Sequence, residues 1–387
     1  MKGHIRQRSP GRWAIILDMR DPTTGKRRRR WHSFAGTKRQ AETECARRVA
    51  ELTGGAYVDP SREPLAAYLE RWLEHIQGQV APRTHERYGE LVRDHLAPLL
   101  GAVCLAKLDA MMISRAYAKA LKSGRKDGQG GLSPMSVRHL HRVLRHALKQ
   151  AVEWRLIARN VADLVKPPKV ERKEIQTIDA DETVAMIEAA KGTTMLIPIM
   201  LGALCGLRRA EMTALRWRSL DLDQGQISVV ASTEQTRAGV REKETKSGKG
   251  RTVALPAILI DELRQHRICQ AEWLLQLGVR LTEDHHVVTG EGGQPLQPHS
   301  LSSAFAKFIR RHRLPRIRLH DLRHSHASHL LKAGVHPKIA QERLGHSSVA
   351  VTLDLYSHVL PGMQQEAVSR IDAALEQSIN RRNKTIG

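Results

Sequence analysis

HDLRHSHASHLL (His320–Leu331) is followed by LGHSS (Leu344–Ser348) and LDLYSH (Leu353–His358). In the first stretch His320 and Arg323 stand at i and i+3, so a helix puts both on one face. The second opens on a Gly–His pair, Gly345–His346. The third carries Tyr356, the only tyrosine after Tyr117, so its oxygen has no substitute over most of the chain. The histidines of the first stretch (His320, His324, His326, His329) also invite a metal reading, because His320 and His324 have i, i+4 spacing. A catalytic metal site needs a carboxylate in the pattern, as in HExxH. Only Asp321 is near, on a different face from His320, and no metal site is expected.

Two more segments stand out upstream. CGLRRAEMTALRWRSLDL (Cys205–Leu222) reads as a helix with Leu204, Leu207, Met212 and Leu215 as core candidates and Arg208 beside Glu211 at i, i+3. Taken alone, that pair reads as a surface ion pair. Further on, GQISVV (225–230) and RTVAL (251–255) are strand-like, which makes REKETKSGKGRTVALP (241–256) the connecting hairpin with Lys246 near its tip. Lys243 and Lys249 are neighbouring alternatives to Lys246, and a loop lysine by itself is ordinarily just solvated.

A formal net charge of +23 points to a polyanionic partner, and nucleic acid is the usual one. No run approaches the ~18 apolar residues of a membrane span, and the N-terminus has no apolar stretch of signal-peptide type. Four widely spaced cysteines without a CxxC pair indicate neither a disulfide framework nor a cysteine zinc site. GGAYVDPSREP (54–64) and VKPPKVERKE (165–174) read as linkers. They define a small first module, a middle module and a larger third one. Residues 1–57 hold 14 Lys and Arg against 5 Asp and Glu, which makes the first module the most basic per residue.

In that first module GRWAIILDMR and KRRRRWHSF are strand-like around the turn-rich DPTTG, and Thr37 and Gln40 have capping-box spacing ahead of a helix with Ala41, Cys45, Val49 and Leu52 on one face. Such a hairpin can lay Arg27, Arg28, Arg29 and Arg30 along a DNA groove, with Trp31 as support; a solvated charged hairpin accounts for the same residues. The middle module reads as all-helical. In SPMSVRHLHRVLRHALKQAV, Ser133 is an N-cap with Pro134 at the first helical position. Leu140, Leu144, Ala147, Leu148 and Ala151 form a core face. Arg138, Arg142, Arg145 and Lys149 form a cationic stripe suited to a row of phosphates, with no acid before Glu153.

A phosphodiester cut without metal needs an in-line nucleophile, cationic donors for the non-bridging oxygens and an acid for the departing 5′ oxygen. Arginine forks bind phosphate bidentately and stay charged. Tyrosine, with a pKa near 10, attacks only if cations and a base favour the phenolate. Lysine and histidine move the protons. The separate motifs offer one candidate for each role.

Together these motifs resemble the tyrosine recombinases, the phage-integrase family. The matching positions are Arg208 in GLRRAE, Lys246 in TKSGKGR, His320 and Arg323 in HDLRHS, His346 in ERLGHSS and Tyr356 in TLDLYSHV, in family order across residues 176–362. Cys205 stands where the family often has threonine. The middle module resembles the family's helical core-binding domain, and the first resembles the arm-type DNA-binding domain of lambda-like integrases. The implied fold is multidomain. It comprises a small α+β N-terminal domain (1–57), an all-α, SAM-like core-binding domain (62–168), a mainly α-helical α+β catalytic domain with a small β-hairpin sheet (176–362), and a C-terminal tail helix (363–387).

The implied activity is site-specific recombination for a mobile element through a 3′-phosphotyrosyl intermediate and a Holliday junction, with no metal, ATP or other cofactor. Tyr356 is the implied nucleophile, Arg208 and Arg323 the phosphate clamps, Lys246 the acid, His320 a base or proton-sharing group and His346 a donor to the phosphate. The implied partners are double-stranded DNA at core and arm attachment sites, further copies of the chain in a tetramer, and DNA-bending accessory proteins; the implied location is the bacterial cytoplasm, not a membrane. In the tail, Val368, Ile371, Leu375 and Ile379 recur at helical spacing. The family commonly docks such a tail on a neighbouring subunit, and packing on its own domain is the alternative. A Xer-like resolvase lacks the basic first module, a type IB topoisomerase shares the chemistry without the arm-like domain, and a metal-dependent nuclease needs clustered carboxylates.

Overall fold

The structure is a computed structural model that describes residues 2–20, 27–53, 62–171, 176–244, 250–290 and 293–356, with 368, 369, 371–373, 375, 376 and 379 of the tail. At 2, 19, 20, 27, 28, 51–53, 244, 351 and 354–356 the description is of the backbone alone. The chain divides into two compact units, 1–171 and 172–387, and the seam falls inside the expected proline-rich linker.

The first unit opens with an antiparallel sheet, β1 (Lys2–Ser9), β2 (Arg12–Arg20) and β3 (Arg27–Ala35), in that order. The two strands expected from the sequence are β2 and β3. The added edge strand β1 was not legible, because KGHIRQRS offers one apolar side chain, Ile5, and no alternation. β2 is apolar on both faces. Ile15 and Leu17 pack with Cys45 and Val49 of helix α1 (Lys38–Thr53). Ile16 lies in register between His4 and Trp31. The capping box is present: the Thr37 N–H donates to Gln40 Oε1 at 2.9 Å and the Gln40 N–H to Thr37 Oγ1 at 3.3 Å. A Cβ on Gly3 would lie 2.6 Å from Val49 Cγ2 and 2.9 Å from Cys45 Sγ, so glycine lets β1 pass this close to α1.

The rest of this unit is helical. It runs through α2 (Leu65–Ile76), α3 (Pro82–Leu91), a wide turn (Val92–Leu96) leading into α4 (Ala97–Leu100), α5 (Ala110–Ser123) and α6 (Pro134–Glu153). Ser133 caps α6 as expected, accepting from the Ser136 N–H at 3.1 Å. The expected core face of α6 is fully buried against α2, where the Tyr68 hydroxyl donates to the Ala147 carbonyl at 2.5 Å. Trp72 is also fully buried and stacks on Tyr88 with centroids 5.8 Å apart.

The second unit contains α7 (Ala180–Ala190), α8 (Leu196–Cys205), the single turn α9 (Arg209–Met212), β4 (Leu220–Asp221), β5 (Gln226–Val229), β6 (Ala231–Thr236), β7 (Gly239–Glu244) and β8 (Arg251–Ala254). It continues with α10 (Ala257–Gln276), α11 (Pro298–Arg311), α12 (Leu319–Lys332), α13 (Pro337–Leu344) and α14 (Val349–Tyr356). α8 is apolar all round and is the axis of the core. α12 crosses it closely, since a Cβ on Gly202 would come within 3.2 Å of Leu322.

Strands β5 and β8 pair as expected, but β6 and β7 form a second hairpin between them, with its turn at Arg237 and Ala238. The expected place of Lys246 near a tip falls in 245–249, outside the described residues. The β6–β7 hairpin was not legible because ASTEQT and GVREKE lack apolar alternation; its support is tertiary, with the Thr233 hydroxyl 2.5 Å from that of Thr213 and Glu242 meeting Arg216 and His286. In the tail, Val368, Ile371, Leu375 and Ile379 are helical and each more than half exposed. Among the described residues no helix is long and apolar enough to cross a membrane.

Trp72→Ala removes the largest side chain of the helical core. It should lower the unfolding free energy by about 3–5 kcal/mol, measured by denaturant titration; a loss below about 1 kcal/mol would contradict this packing.

Candidate active site

The segment 205–222 is not the continuous helix that its composition suggests. α8 stops at Gly206, whose φ of 65° places it in the left-handed region that glycine favours. A Cβ there would lie 2.7 Å from Leu344 Cδ2 and 2.8 Å from His326 Cδ2, so α8 ends wedged against α12 and α13. The chain turns, and Arg208 enters α9 in an extended conformation (φ −74°, ψ 149°). Its contact with Glu211 survives the change. Arg208 Nη1 donates to Glu211 Oε1 at 2.8 Å and its backbone N–H to Oε2 at 2.8 Å, while Nη2 donates to the Gly345 carbonyl at 2.7 Å.

Glu211 is buried and has a second partner that the sequence reading missed. Arg251, the first residue of β8, forks onto it, with Nη1 to Oε1 at 2.9 Å and Nη2 to Oε2 at 2.7 Å. Arg251 Nε donates to the Arg343 carbonyl at 2.9 Å. The available signal was a lone arginine opening the apolar strand RTVAL. Burial pushes the Glu211 carboxyl up, but the hydrogen bonds and charge of Arg251, then Arg208, outweigh it and hold the pKa down at about 2.

Arg323 is almost fully buried on α12, donating to the carbonyls of Gly206 (2.6 Å) and Leu344 (2.5 Å). It thus binds the C-terminal ends of α8 and α13 together. Arg343 works nearby: its Nε donates to His326 Nε2 at 3.0 Å and its Nη2 to the carbonyls of Leu204 and Ala254, both at 3.0 Å. As an acceptor, His326 is neutral; burial and the Arg343 charge push its pKa down to about 3. At the start of α12, Asp321 accepts from the Arg318 backbone N–H at 2.7 Å, which fixes the turn from which His320 projects.

α13 ends like α8, at a left-handed glycine, Gly345 (φ 64°), and His346 follows at once. His346 Nδ1 is 2.9 Å from Thr352 Oγ1, one turn before Tyr356 on α14. The described residues include Tyr356 as the backbone end of α14; its side chain lies outside them. Loss of water, then the charges of Arg323 and Arg208, push the His346 pKa down to about 4. Burial, then His324 and Arg323, do the same for His320, also to about 4. His324 meets His320 edge-on with centroids 4.8 Å apart. Arg208, His320, Arg323 and His346 therefore share one electrostatic neighbourhood.

Lys246 is not placed, but one alternative is committed elsewhere: Lys243 Nζ is 2.5 Å from Glu234 Oε1. Lys249 lies outside the described residues with Lys246. Of the candidate DNA-binding residues, Arg138, Arg142, Arg145 and Lys149 all stand exposed on α6. Arg145 meets Asp163 at 2.5 Å and Lys149 meets Glu153 at 3.8 Å. Asp163 arrives from the turn Val161–Leu164, so a stripe read along α6 alone does not reveal it. Among the described residues Arg138 and Arg142 have no carboxylate partner. On β3, strand alternation sends the successive side chains of Arg29 and Arg30 to opposite sheet faces. Arg29, exposed, pairs with Asp18 at 3.1 Å, Arg30 is half-buried, and the side chains of Arg27 and Arg28 are outside the described residues.

The centre can hold an anion with several oxygens: cationic forks surround it and its neutral imidazoles can either donate or accept. Two pH effects follow. Glu211, with its pKa lowered, contributes stability that is full above about pH 4.5 and lost as pH falls through about 2, on the order of 3 kcal/mol. The stability gap between wild type and Glu211→Gln should therefore narrow over that window in denaturant titrations. His320 and His346 act in a higher range: they stay neutral while the unfolded chain gains protons, so each removes stability as pH falls from 6.5 towards 4. Imidazole NMR titration should show both still neutral at about pH 5.5; midpoints near 6.5 would contradict the geometry.

The chain is similar to known proteins in sequence and in fold. The model of the phage integrase family matches residues 176–362. A tyrosine recombinase XerC of Xanthomonas axonopodis pv. citri is 30% identical, over 78% of this chain and 90% of that protein. An integrase of Streptomyces ambofaciens is 28% identical, over 92% of each. In fold, the chain is similar to the Tn1549 transposon integrase solved with circular intermediate DNA, with a TM-score of 0.67 at 18% identity, covering 80% of this chain and 99% of that one. The chain belongs to the phage integrase family, that of the tyrosine recombinases.

Proposed function

We propose that the chain cuts and rejoins DNA at specific sites for a mobile element, with Tyr356 as nucleophile. The observation that carries this reading is the convergence of Arg208, His320, Arg323 and His346, from three separate helix ends, beside the helix that terminates at Tyr356. Arg208 and Arg323 neutralise the scissile phosphate. The phenol oxygen attacks phosphorus as the bond to the 5′ oxygen breaks, leaving a 3′-phosphotyrosyl link and a free 5′-hydroxyl. The phenolic proton passes to neutral His320, and Lys246 supplies the proton taken up by the 5′ oxygen. Religation runs the same transfers backwards, so the phosphodiester energy is conserved and no ATP is consumed. If the Thr352 hydroxyl donates to Nδ1 of His346, its Nε2–H faces outward as a phosphate donor.

Exchange between two duplexes breaks four strands, and each copy offers one nucleophile, Tyr356, which supports a tetramer passing through a Holliday junction. The exposed apolar row of the tail is suited to a neighbouring copy in that assembly. The module boundaries 1–57, 62–168, 176–362 and 363–387, with the first two as arm-type and SAM-like core-binding domains, belong to the same reading. The basic sheet and α6 supply DNA contacts outside the active centre, and the Streptomyces integrase, matched over nearly its whole length, favours a mobile element over a resolvase.

The test uses nicked suicide duplexes tiled from DNA flanking the gene, in EDTA, scored for protein–DNA adducts that survive SDS. Wild type should form the adduct and Tyr356→Phe should not; an adduct persisting in the Phe variant sinks the assignment. Arg208→Ala should slow adduct formation by about a hundredfold or more while most duplex binding remains. Arg138→Ala and Arg142→Ala should each weaken binding uniformly across sequences and reduce the slope of log K against log salt by about 1. An unchanged slope in both would remove α6 from the DNA surface.

A further inference from the structure

We propose that Arg251 is a positioning residue that serves as the private counter-charge of Glu211, leaving the charge of Arg208 for the scissile phosphate. The inference rests on the reading of Tyr356, Arg208 and the phosphate given above.

Both oxygens of the Glu211 carboxylate are doubly occupied, each accepting one bond from Arg208 and one from Arg251. The two arginines differ in access. The Arg208 side chain is 37% exposed and the Arg251 side chain 14%, so the first reaches the open side of the centre and the second stays behind it. A carboxylate this deeply buried must be matched by a cation. With Arg208 alone, carboxylate and phosphate would compete for the same guanidinium, and the clamp would arrive already neutralised. With Arg251 in place, the three groups carry one net positive charge, located on the accessible arginine.

Arg251 also fixes the geometry of its neighbours. Its Nε holds the Arg343 carbonyl in the last turn of α13. A Cβ on Gly345 would lie 3.0–3.2 Å from its side chain, and the Gly345 carbonyl accepts from Arg208. One planar fork therefore touches the supports of Arg208 and of His346, five residues after Lys246 in the sequence.

The experiment measures single-turnover formation of the Tyr356 adduct on a nicked duplex for wild type, Arg251→Met, Arg251→Lys, Glu211→Gln and Arg251→Met/Glu211→Gln, with duplex affinity and melting temperature alongside. Arg251→Met should be slower by about a hundredfold with duplex affinity nearly unchanged. Adding Glu211→Gln should recover about tenfold, because a neutral amide no longer competes for Arg208. Arg251→Lys, which keeps the charge but not the fork, should fall between wild type and Arg251→Met. A purely structural strut predicts the opposite for the double variant, which would lose both halves of a tie and be no faster than Arg251→Met. That result, or Arg251→Met within about threefold of wild type, overturns the inference. If Arg251→Met does not fold, the same comparison is made with Arg251→Lys, with and without Glu211→Gln. Absence of an adduct in wild type would overturn the reading of Tyr356, and this inference with it, before any Arg251 variant is scored.

Discussion

A carboxylate withdrawn from water between two guanidinium groups is the fixed point of the catalytic unit. Glu211 is held by Arg208 and Arg251, and through them it reaches the carbonyls of Gly345 and Arg343 at the end of α13. An isolated buried charge would be ruinous to the fold; a carboxylate accepting four hydrogen bonds from two permanent cations is not. The arrangement converts a local i, i+3 pair into a junction of three chain segments distant in sequence. Removal of Glu211 leaves two guanidinium groups without their counter-charge, whereas removal of either arginine leaves a neutral pair.

The helices meet this junction with the same device twice. α8 ends at Gly206 and α13 at Gly345, both left-handed, and each glycine is followed within two residues by a site side chain, Arg208 or His346. Arg323, buried on α12, donates to carbonyls at both ends. Helix C-termini concentrate partial negative charge, so a buried arginine there is stabilised by carbonyl dipoles as well as by hydrogen bonds. Burial first, and then the positive surplus, keep His320 and His346 unprotonated, available as acceptor and donor where solvated histidines would be partly charged. An arriving phosphate, being negative, reverses that bias and raises both pKa values as it binds.

What the sequence disclosed depended on how local the signal was. The α6 cap at Ser133, the capping box at Thr37 and the buried face from Leu140 to Ala151 are set by near neighbours and were readable. The β5–β8 pairing was readable because both strands are apolar. The β6–β7 hairpin was not, since its residues are polar and its pairing is with itself. The break at Gly206 was hidden inside an apolar run that suits a helix; what stops the helix is tertiary, the side chains of His326 and Leu344 pressed against the glycine. Arg208, His320, Arg323 and His346 were found as motif members. Thr352, only six residues after His346, opens the quoted TLDLYSHV, and nothing in that motif signals its contact to the histidine. Arg251 and Arg343 were not singled out, because each acts through partners at long sequence separation. The acid beside Arg145 escaped for the same reason.

The anchoring on either side of segment 245–249 sets a limit of its own. Before it, Lys243 is tied to Glu234, and Glu242 to Arg216 and His286; after it, Arg251 is locked to Glu211. Covalent geometry allows at most ~3.6 Å per residue, so the Lys246 Cα can stray no more than roughly 11 Å from that of Lys243 and 18 Å from that of Arg251. Both bounding residues stand in the catalytic unit itself. Each residue inserted between those two anchors would widen the bound by up to ~3.6 Å without touching any contact in the centre.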